Sequence, residues 1–357
     1  MVFLPGLELA RRFHDEVVRP VLERRSVVYS AALLGRGSEV LGFDSERSTD
    51  HDWGPRLQVF VSEPDGLDEL LSRELPCEFL GYSTHFADNP GEPTRRRAPA
   101  DGPIRHAVEI ADVDRWFGAF LGFVPAPPIS RADWLATPTQ TLAELTSGGV
   151  FHDGLGRLEP VRAALAWYPD DVWREVLAGQ WRRIAQEEPF VGRCGEAGDE
   201  LGSAIVAARL VRDVMRLCLL MARRYPPYSK WLGSAFARLP IAPALTAHLT
   251  GALAAPTWPT REAHLADAYE TVAAHHNQLG LTPPLDPRTR GFHSRPYRVL
   301  DAARFADALC PGAVGAVDQW VDSTDVLGRP ERARAAARGV TQHEEAPAPG
   351  ARGLLRE

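Results

Sequence analysis

A glycine–serine pair follows an apolar stretch near the N-terminus of the chain. Residues 27–35 are apolar and end in glycine, which is typical of a buried strand that runs into a turn. Gly37-Ser38 comes next, followed by Gly42. The backbone N–H groups of such a turn, together with one hydroxyl, can face an anion. Because most glycine–serine pairs are simple turns, this pair indicates an anion site only together with the residues that follow.

Two aspartates, Asp50 and Asp52, flank His51 just before residues 56–62, which alternate as a strand does. On an extended chain, side chains two positions apart point to the same side. Two carboxylates that close repel each other unless a cation lies between them, and magnesium prefers oxygen ligands. The alternative is that the pair caps a turn, because Ser48-Thr49-Asp50 has the composition of a turn.

Glu109 stands at the centre of a third apolar segment, residues 104–111. A carboxylate buried in a strand without a partner is costly, so Glu109 either has a partner or faces solvent with Arg105 and Ala111. If its strand lies next to the strand of the two aspartates, the three carboxylates form one cluster. Such a cluster could hold two magnesium ions and orient a triphosphate.

The elements around these residues predict a small mixed sheet with helices, followed by a helical region. The break comes at the prolines between residues 125 and 128. We therefore predict an α/β domain over 1–125, an all-α helical domain over 126–328 and a disordered tail over 329–357, which has little to bury. In the first domain the patterns predict helices over 7–24 and 64–74, strands over 27–35, 56–62, 77–83 and 104–111, and a loop over 88–103. In the second they predict helices over 139–147, 158–168, 170–187, 196–224, 230–238, 243–254 and 261–279.

Composition limits the class of protein. A length of 357 residues suggests two domains at roughly 150 residues per domain. The net charge of -7 argues against binding nucleic acid over a wide surface, which requires a basic face. No apolar run reaches the ~20 residues of a membrane span, and no signal peptide is evident. The four cysteines are far apart and predict reduced thiols in a cytoplasmic protein.

The chain has a single lysine, Lys230, among 40 basic residues, which leaves 39 arginines. A site that needs only positive charge could use arginine, whereas the compact lysine ammonium on a flexible stem suits phosphates. Lys230 follows a long apolar helix and the helix-breaking pair Pro226-Pro227. A residue at such a junction can project across a cleft towards the other domain. The alternative is that one lysine has fallen there by chance.

Taken together, these motifs resemble the signature of the DNA-polymerase-beta-like nucleotidyltransferase superfamily. It includes the aminoglycoside and lincosamide nucleotidyltransferases and the minimal nucleotidyltransferases of toxin–antitoxin pairs. The residues that carry the resemblance are 33–38, Gly42, 48–52 and 108–110. More narrowly, residues 37–42, 50–57 and 228–231 look like a bacterial family of unknown function assigned to that superfamily.

The resemblance implies a magnesium-dependent enzyme that moves a nucleoside monophosphate from a nucleoside triphosphate to a hydroxyl of a small molecule. We expect the transferred group to be AMP. Two departures stand out: His51 replaces the usual apolar residue between the aspartates, and Trp53-Gly54-Pro55 interrupts the strand that normally follows. By the resemblance Gly37, Ser38, Tyr228 and Lys230 would bind the nucleotide, Asp50 and Asp52 would bind metal, and Glu109 would be the third metal ligand or the base.

Other functions stay open at this point. The nucleotide could be transferred to a protein partner, or the chain could be a non-catalytic module that binds a nucleotide or a partner. His-Asp dipeptides occur at residues 14, 51 and 152. A phosphohydrolase of the His-Asp type would need such a pair on helices with further His and Asp ligands, whereas His51 lies by a predicted strand and His152 in a glycine-rich loop. His275-His276, at the end of a predicted helix, is expected to cap it through the helix dipole.

Overall fold

The structure of the chain, a computed structural model, describes residues 3–92, 94–100 and 102–320, and the predicted disordered tail lies outside them. The fold is mixed α/β, with one small mixed sheet and many helices. The strands are β1 (Ser30–Leu33), β2 (Arg56–Phe60), β3 (Glu78–Phe79), β4 (Tyr82–Ser83), β5 (Phe86–Asp88), β6 (Arg95–Arg97), β7 (Ala107–Ala111), β8 (Gly149–Asp153), β9 (Arg290–Phe292) and β10 (Arg295–Val299).

Helices account for most of the remaining regular structure. They are α1 (Gly6–Phe13), α2 (Arg19–Arg24), α3 (Leu67–Glu74), α4 (Val113–Leu121), α5 (Arg131–Ala136), α6 (Thr139–Thr146), α7 (Leu158–Leu165), α8 (Asp170–Glu187), α9 (Phe190–Glu196), α10 (Glu200–Met221), α11 (Ser229–Ala237), α12 (Ala242–Ala254), α13 (Trp258–Gln278), α14 (Ala303–Leu309) and α15 (Val317–Trp320). A π-helical turn, His14–Val18, joins α1 to α2, and a 3-10 helix, Glu46–Asp50, precedes β2.

The chain divides into two compact units that a single cut near residue 125 does not separate. The first unit comprises Met1–Pro128, Thr139–Trp167 and Arg224–Ala235, and the second comprises the other described residues. The chain therefore enters the second unit and returns twice to the first. The segment with Tyr228 and Lys230 belongs to the first unit, whereas the sequence predicted it in a separate helical domain.

The central sheet of the first unit has the strand order β7-β2-β1-β8. β1 is antiparallel to both β2 and β8, whereas β2 and β7 are parallel. β8 was not predicted from the sequence, and it extends the sheet with residues that come after the predicted boundary. Its last residue, Asp153, accepts a hydrogen bond from the Ser30 hydroxyl at 2.6 Å, which ties the end of β8 to the start of β1.

The two faces of this sheet have different surroundings because neighbouring residues on a strand point to opposite sides. Leu57, Val59 and Val108 are buried in one apolar core. Side chains of α1, α2 and α3 complete that core. The opposite face carries Gln58 and Glu109, which are directly paired in the parallel register of β2 and β7. The polar residues are thus placed together by the same alternation that builds the core.

The long helix predicted over 7–24 is confirmed with an irregularity at its centre. At the π-helical turn the Arg19 N–H donates to the carbonyl of His14, five residues earlier. Pro20, which follows at once, has no N–H to donate and so fits at the start of the next regular turn.

In the second unit, a network of buried polar side chains joins α8, α10 and the start of α15. Gln180 Nε2 donates to Asp213 Oδ1 at 3.2 Å, and Arg183 Nε lies 3.2 Å from the same oxygen. Gln319 Nε2 donates to Gln180 Oε1 at 3.1 Å and to the carbonyl of Val176 at 2.8 Å. Every partner in this network comes from the protein itself, as burial requires.

Two further expectations concern the surroundings of the protein. In the part of the chain that the structure describes, no helix is long and apolar enough to cross a membrane. All four cysteines carry free thiols, as their spacing predicted.

Candidate functional site

The turn after β1 is built around Gly37. Its φ of 141° lies in the region that favours glycine. A Cβ atom at this position would clash with the guanidinium of Arg56 and the carboxylate of Glu39. The turn then closes on itself, since the Phe43 N–H donates to the carbonyl of Ser38 at 2.8 Å. Ser38 therefore lies in a compact turn, as the sequence predicted, and not at the start of a regular helix.

A buried ion pair holds this turn against the sheet. The side chain of Glu39 is only 3% exposed, and Arg56 Nε donates to its Oε1 at 2.7 Å. The same guanidinium donates to the carbonyl of Arg36 at 2.6 Å. Because a buried carboxylate is unstable without such a partner, Arg56 at the start of β2 fixes the position of the turn after β1. Neither residue was singled out in the sequence.

Gln58 links the end of β1 to Glu109. Its buried amide exchanges two hydrogen bonds with the backbone of Leu34, accepting from the N–H at 2.9 Å and donating to the carbonyl at 3.2 Å. The same Nε2 lies 3.3 Å from Glu109 Oε2. Glu109 itself is exposed on β7. Its carboxylate therefore lies beside the chain that leads from β1 into the Gly37-Ser38 turn.

One feature of the sequence points to Gln58. A glutamine in the middle of the apolar run from Leu57 to Val61 is exceptional, because its amide must find hydrogen-bond partners when the strand is buried. The partners, however, come from residues 34 and 109, which no local pattern connects to residue 58.

The two aspartates do not have the extended conformation that the sequence predicted. Asp50 ends the 3-10 helix, and its Oδ1 lies 2.9 Å from Nδ1 of His51. Asp52 has a φ of 45°, in the left-handed region. The prediction that both side chains project from one face of a strand is wrong, because a helical turn and a left-handed residue replace the strand there. β2 begins only at Arg56, after Trp53-Gly54-Pro55.

Asp52 is instead paired with the edge of β6. Its N–H donates to the carbonyl of Arg95 at 2.8 Å, and its Oδ1 accepts from the Arg95 N–H at 3.0 Å. β6 lies in the segment predicted to be a loop and pairs with β5, which ends where that segment begins. Asp52 thus satisfies both outward-facing backbone groups of Arg95.

The three carboxylates predicted to bind metal are not brought together in one group. Within residues 3–92, 94–100 and 102–320, no three or more His, Cys, Asp or Glu side chains are grouped closely enough to hold a metal ion. Asp50, Asp52 and Glu109 therefore do not form a single ligand set in this conformation. Their role as metal ligands stays a prediction.

The segment with Tyr228 and Lys230 lies next to the Gly37-Ser38 turn. The Trp231 ring stacks on Phe43, with ring centroids 5.2 Å apart and planes within 15° of parallel. Phe43 is the residue whose N–H closes the turn on Ser38. The exposed Lys230 places its Nζ 4.8 Å from the centroid of the Trp231 ring. Two of the predicted nucleotide-binding groups, the turn and the lysine, are thus connected through two aromatic rings.

Polar groups of α6 lie on the other side of this segment. Gln140 Oε1 accepts from the Tyr228 N–H at 2.8 Å, and its Nε2 donates to Glu144 at 2.8 Å. The carbonyl of Glu144 accepts from the Gly35 N–H at 2.9 Å, just before the glycine–serine pair. Burial raises the pKa of the Glu144 carboxyl, an effect opposed by the Gln140 hydrogen bond and the charge of Arg36.

The neighbours of Tyr228 also change the pKa of its hydroxyl. Burial and the charge of Glu144 raise the pKa of its hydroxyl, and a hydrogen bond with the Trp231 side chain partly offsets them. The sequence predicted Tyr228 and Lys230 as binding residues but missed Gln140 and Glu144. These two lie on α6. The spacing of apolar residues predicted this helix but not the role of its polar side chains.

One family matches part of the chain. Residues 134–232 match a family described as a domain of unknown function (DUF4037). The matched range contains α6 and the Tyr228–Trp231 segment, but not the glycine–serine turn, the two aspartates or Glu109. The match covers less than half of the chain. A search of curated proteins finds no match.

Proposed function

We propose that the chain is a magnesium-dependent nucleotidyltransferase that moves a nucleoside monophosphate, AMP by preference, from a nucleoside triphosphate to a hydroxyl of a small molecule. In this proposal the first compact unit is a nucleotidyltransferase-like domain. Gly37, Ser38, Tyr228 and Lys230 bind the nucleotide. The metal requirement rests on the resemblance of the sequence, by which Asp50 and Asp52 bind the metal.

The observation that carries the proposal is the position of Glu109. The Gln58 amide binds both the backbone of Leu34 and the carboxylate of Glu109. An exposed carboxylate thereby lies beside the chain entering a turn whose N–H groups can face an anion. A proton acceptor next to a phosphate-binding turn is the minimum that a phosphoryl-transfer site needs from the protein.

The proposed reaction requires few protein groups. The hydroxyl oxygen of the acceptor attacks the α-phosphorus, and Glu109 takes the hydroxyl proton. The bond from the α-phosphorus to the oxygen that bridges to the β-phosphorus breaks, and pyrophosphate leaves with that electron pair. The turn at Ser38 and the ammonium of Lys230 stabilise the negative charge of the phosphates. Catalysis is then mainly positioning.

A second candidate function is a non-catalytic nucleotide-binding module. The observation in its favour is that, among the described residues, Asp50, Asp52 and Glu109 do not form a single group of metal ligands. Such a module would bind a nucleoside triphosphate through the turn and Lys230 without turning it over. Transfer to a protein acceptor is a variant of the first proposal with the same chemistry.

The test is a search for turnover. The protein is incubated with magnesium, each of the four nucleoside triphosphates and a library of hydroxyl metabolites, and products that gain one nucleoside monophosphate are identified by mass. A parallel reaction with labelled nucleotide and a cell extract detects transfer to protein. Pyrophosphate release with a modified product supports the transferase. Nucleotide binding without any product favours the binding module.

Glu109→Gln should slow this turnover by roughly 10²–10⁴, the usual loss when a general base is removed, while the protein stays folded. Steady-state rates with the identified acceptor measure the effect. The matched control is Glu78→Gln, at an exposed strand glutamate of the same unit, which should keep the parent rate. Equal rates in Glu109→Gln and the parent would exclude Glu109 as the base.

A further inference from the structure

Glu144 carries a carboxylate that the proposed reaction does not use, at a place that is unfavourable for its charge. It lies in the last turn of α6, where the helix dipole presents negative partial charge. Its side chain is also only partly exposed, and burial raises the pKa of its carboxyl. A glutamate at this position costs stability when it is ionised. Such a departure is expected chiefly where a residue serves a function.

Hydrogen bonds hold this glutamate between the two groups of residues proposed to bind the nucleotide. The Gly35 N–H donates to the carbonyl of Glu144 at 2.9 Å, which places α6 against the chain that enters the Gly37-Ser38 turn. Gln140 Nε2 donates to Glu144 Oε1 at 2.8 Å, and Gln140 Oε1 accepts from the Tyr228 N–H at 2.8 Å. Glu144 is thus fixed beside the turn on one side and beside the segment of Tyr228 on the other.

The charges that act on the Glu144 carboxylate come from the same two groups. Against the effect of burial, the charge of Arg36 in the turn lowers the pKa of Glu144. Burial and the charge of Glu144 raise the pKa of the Tyr228 hydroxyl, whereas the ammonium of Lys230 lies over a neighbouring ring. Arg162 of α7, which also packs against α6, donates to two carbonyls at the end of α6 at 2.8 and 3.1 Å. Arg36 is therefore the charge that favours ionisation of Glu144 in the free protein.

We infer that Glu144 takes up a proton when the phosphates of a nucleotide bind at the Gly37-Ser38 turn. The inference rests on the proposed function, because it takes this turn as the site of the phosphates. A triphosphate brings several negative charges next to Arg36 and cancels the attraction that keeps Glu144 ionised. The carboxylate then binds a proton from the solvent, which removes its repulsion of the phosphates.

Proton uptake makes nucleotide binding dependent on pH. The ionised form of Glu144 repels the ligand, so the affinity falls as the pH rises and the carboxyl loses its proton. If the two protonation states differ about tenfold in affinity, the uptake reaches at most about half a proton per bound ligand. Conditions that protonate Glu144 therefore favour nucleotide binding.

The test is calorimetric titration in two buffers of different ionisation enthalpy, which measures the number of protons taken up per bound ligand. The probes are ATP and inorganic tripolyphosphate, each with magnesium, between about pH 5 and 8. The variant is Glu144→Gln, which stays neutral and can keep the hydrogen bond from Gln140. The matched control is Glu69→Gln, at an exposed glutamate of α3 in the same unit.

The expected result has two parts. At the pH of maximum uptake, the parent and Glu69→Gln should take up about half a proton more per ligand than Glu144→Gln. At the upper end of the pH range, where Glu144 of the parent is ionised, Glu144→Gln should bind both probes up to about tenfold more tightly than the parent. A gain in affinity is the opposite of what the loss of a merely structural residue produces.

The outcomes distinguish this inference from the proposed function. Equal proton uptake in the parent and in Glu144→Gln overturns the inference alone, because the ligand still binds. A Glu144→Gln variant that binds both probes no more tightly than the parent at the upper end of the pH range overturns it as well. A parent that binds neither probe overturns both the inference and the proposed function.

Discussion

Polar side chains are held in two contrasting ways at two places in the molecule. In the second unit, Gln180 and Asp213 are buried and bound entirely by protein groups. In the first unit, Asp50 and Glu109 are exposed and held by few contacts. A buried polar group must be satisfied by the fold, whereas an exposed one near a turn is available to a ligand. The first arrangement serves stability, and we assign the second to binding.

The largest expected effect is the loss of stability when one of the buried polar groups is removed. Asp213→Ala leaves Arg183 and Gln180 without their buried partner and should lower the free energy of unfolding by about 3–5 kcal/mol. Urea denaturation followed by circular dichroism measures it. The matched control is Asp170→Ala, which removes an exposed pair with Arg223 in the same unit and should cost less than about 1 kcal/mol. Similar losses in both variants would contradict the contrast.

The second prediction is that stability falls at low pH because of a buried histidine in the second unit. His276 is fully buried and Trp181 Nε1 donates to its Nδ1 at 3.2 Å, which requires an uncharged nitrogen. Burial, reinforced by the charge of His275, lowers the pKa of His276 to about 4. Between pH 6.5 and 4 the unfolded chain therefore binds more protons, so stability is fully present above pH 6.5 and falls as the pH drops through this window.

The fall should reach up to about 3 kcal/mol, because each pKa unit corresponds to roughly 1.36 kcal/mol. Urea midpoints from pH 7 to pH 4 measure it in the parent and in His276→Asn, which keeps an acceptor for Trp181 but does not titrate. The variant should lose distinctly less stability than the parent over this range. Parallel curves would show that His276 is not the group responsible. His51→Asn, at an exposed position, serves as the control that should follow the parent.

The contrast also explains how far the sequence could predict the structure. The helix predicted over 170–187 is observed as α8 with the same bounds, because its apolar positions repeat at helical spacing over five turns. β8 was missed, since residues 149–153 show no clear alternation and become a strand only by pairing with β1. The sequence placed His276 as a cap, whereas Trp181, 95 positions away, makes it a buried acceptor.

The local conformation of the candidate site could be predicted from the sequence only in part. The turn at Gly37-Ser38 and the strand position of Glu109 follow from local patterns. The conformation of Asp52 does not, because its partner Arg95 lies 43 residues away on a ribbon that looked like a loop. Likewise, the position of the Tyr228–Trp231 segment beside the turn depends on the Trp231–Phe43 contact, which no spacing along the chain reveals.

The third prediction tests whether the exposed carboxylates of the first unit take part in ligand binding. Magnesium and a nucleoside triphosphate at a hundred times the dissociation constant should stabilise the parent by about 2.7 kcal/mol. For a chain of this size each kcal/mol raises the melting temperature by roughly 2–4 °C. Asp50→Asn combined with Asp52→Asn should remove this shift without destabilising the free protein. Thermal denaturation with and without ligand measures both quantities.

A matched pair of carboxylates provides the control. Glu63→Gln with Asp65→Asn changes two exposed acidic residues of the same unit with the same spacing, and should keep the full ligand shift. If the Asp50/Asp52 double variant is stabilised as much as this control by every nucleotide, the two aspartates have no part in binding.

The smallest effect concerns Lys230→Arg, which keeps the charge and can keep the contact with the Trp231 ring. We expect a folded protein with at least about tenfold weaker triphosphate affinity or turnover, because a planar guanidinium does not replace a compact ammonium at a phosphate. Calorimetry and steady-state kinetics measure the two. Arg73→Lys, at an exposed position of α3, is the control for the exchange itself. Unchanged values would leave Lys230 as an ordinary surface residue.

The pairing of Asp52 with Arg95 also covers part of an open strand edge. The open edge of a two-stranded ribbon offers backbone groups to which a strand of another molecule can add. Asp52 occupies both outward groups of Arg95, and the consecutive arginines of β6 repel a second copy of the same ribbon. Any movement that draws Asp52 towards a ligand uncovers this edge, and the arginine charges then remain as its protection against aggregation.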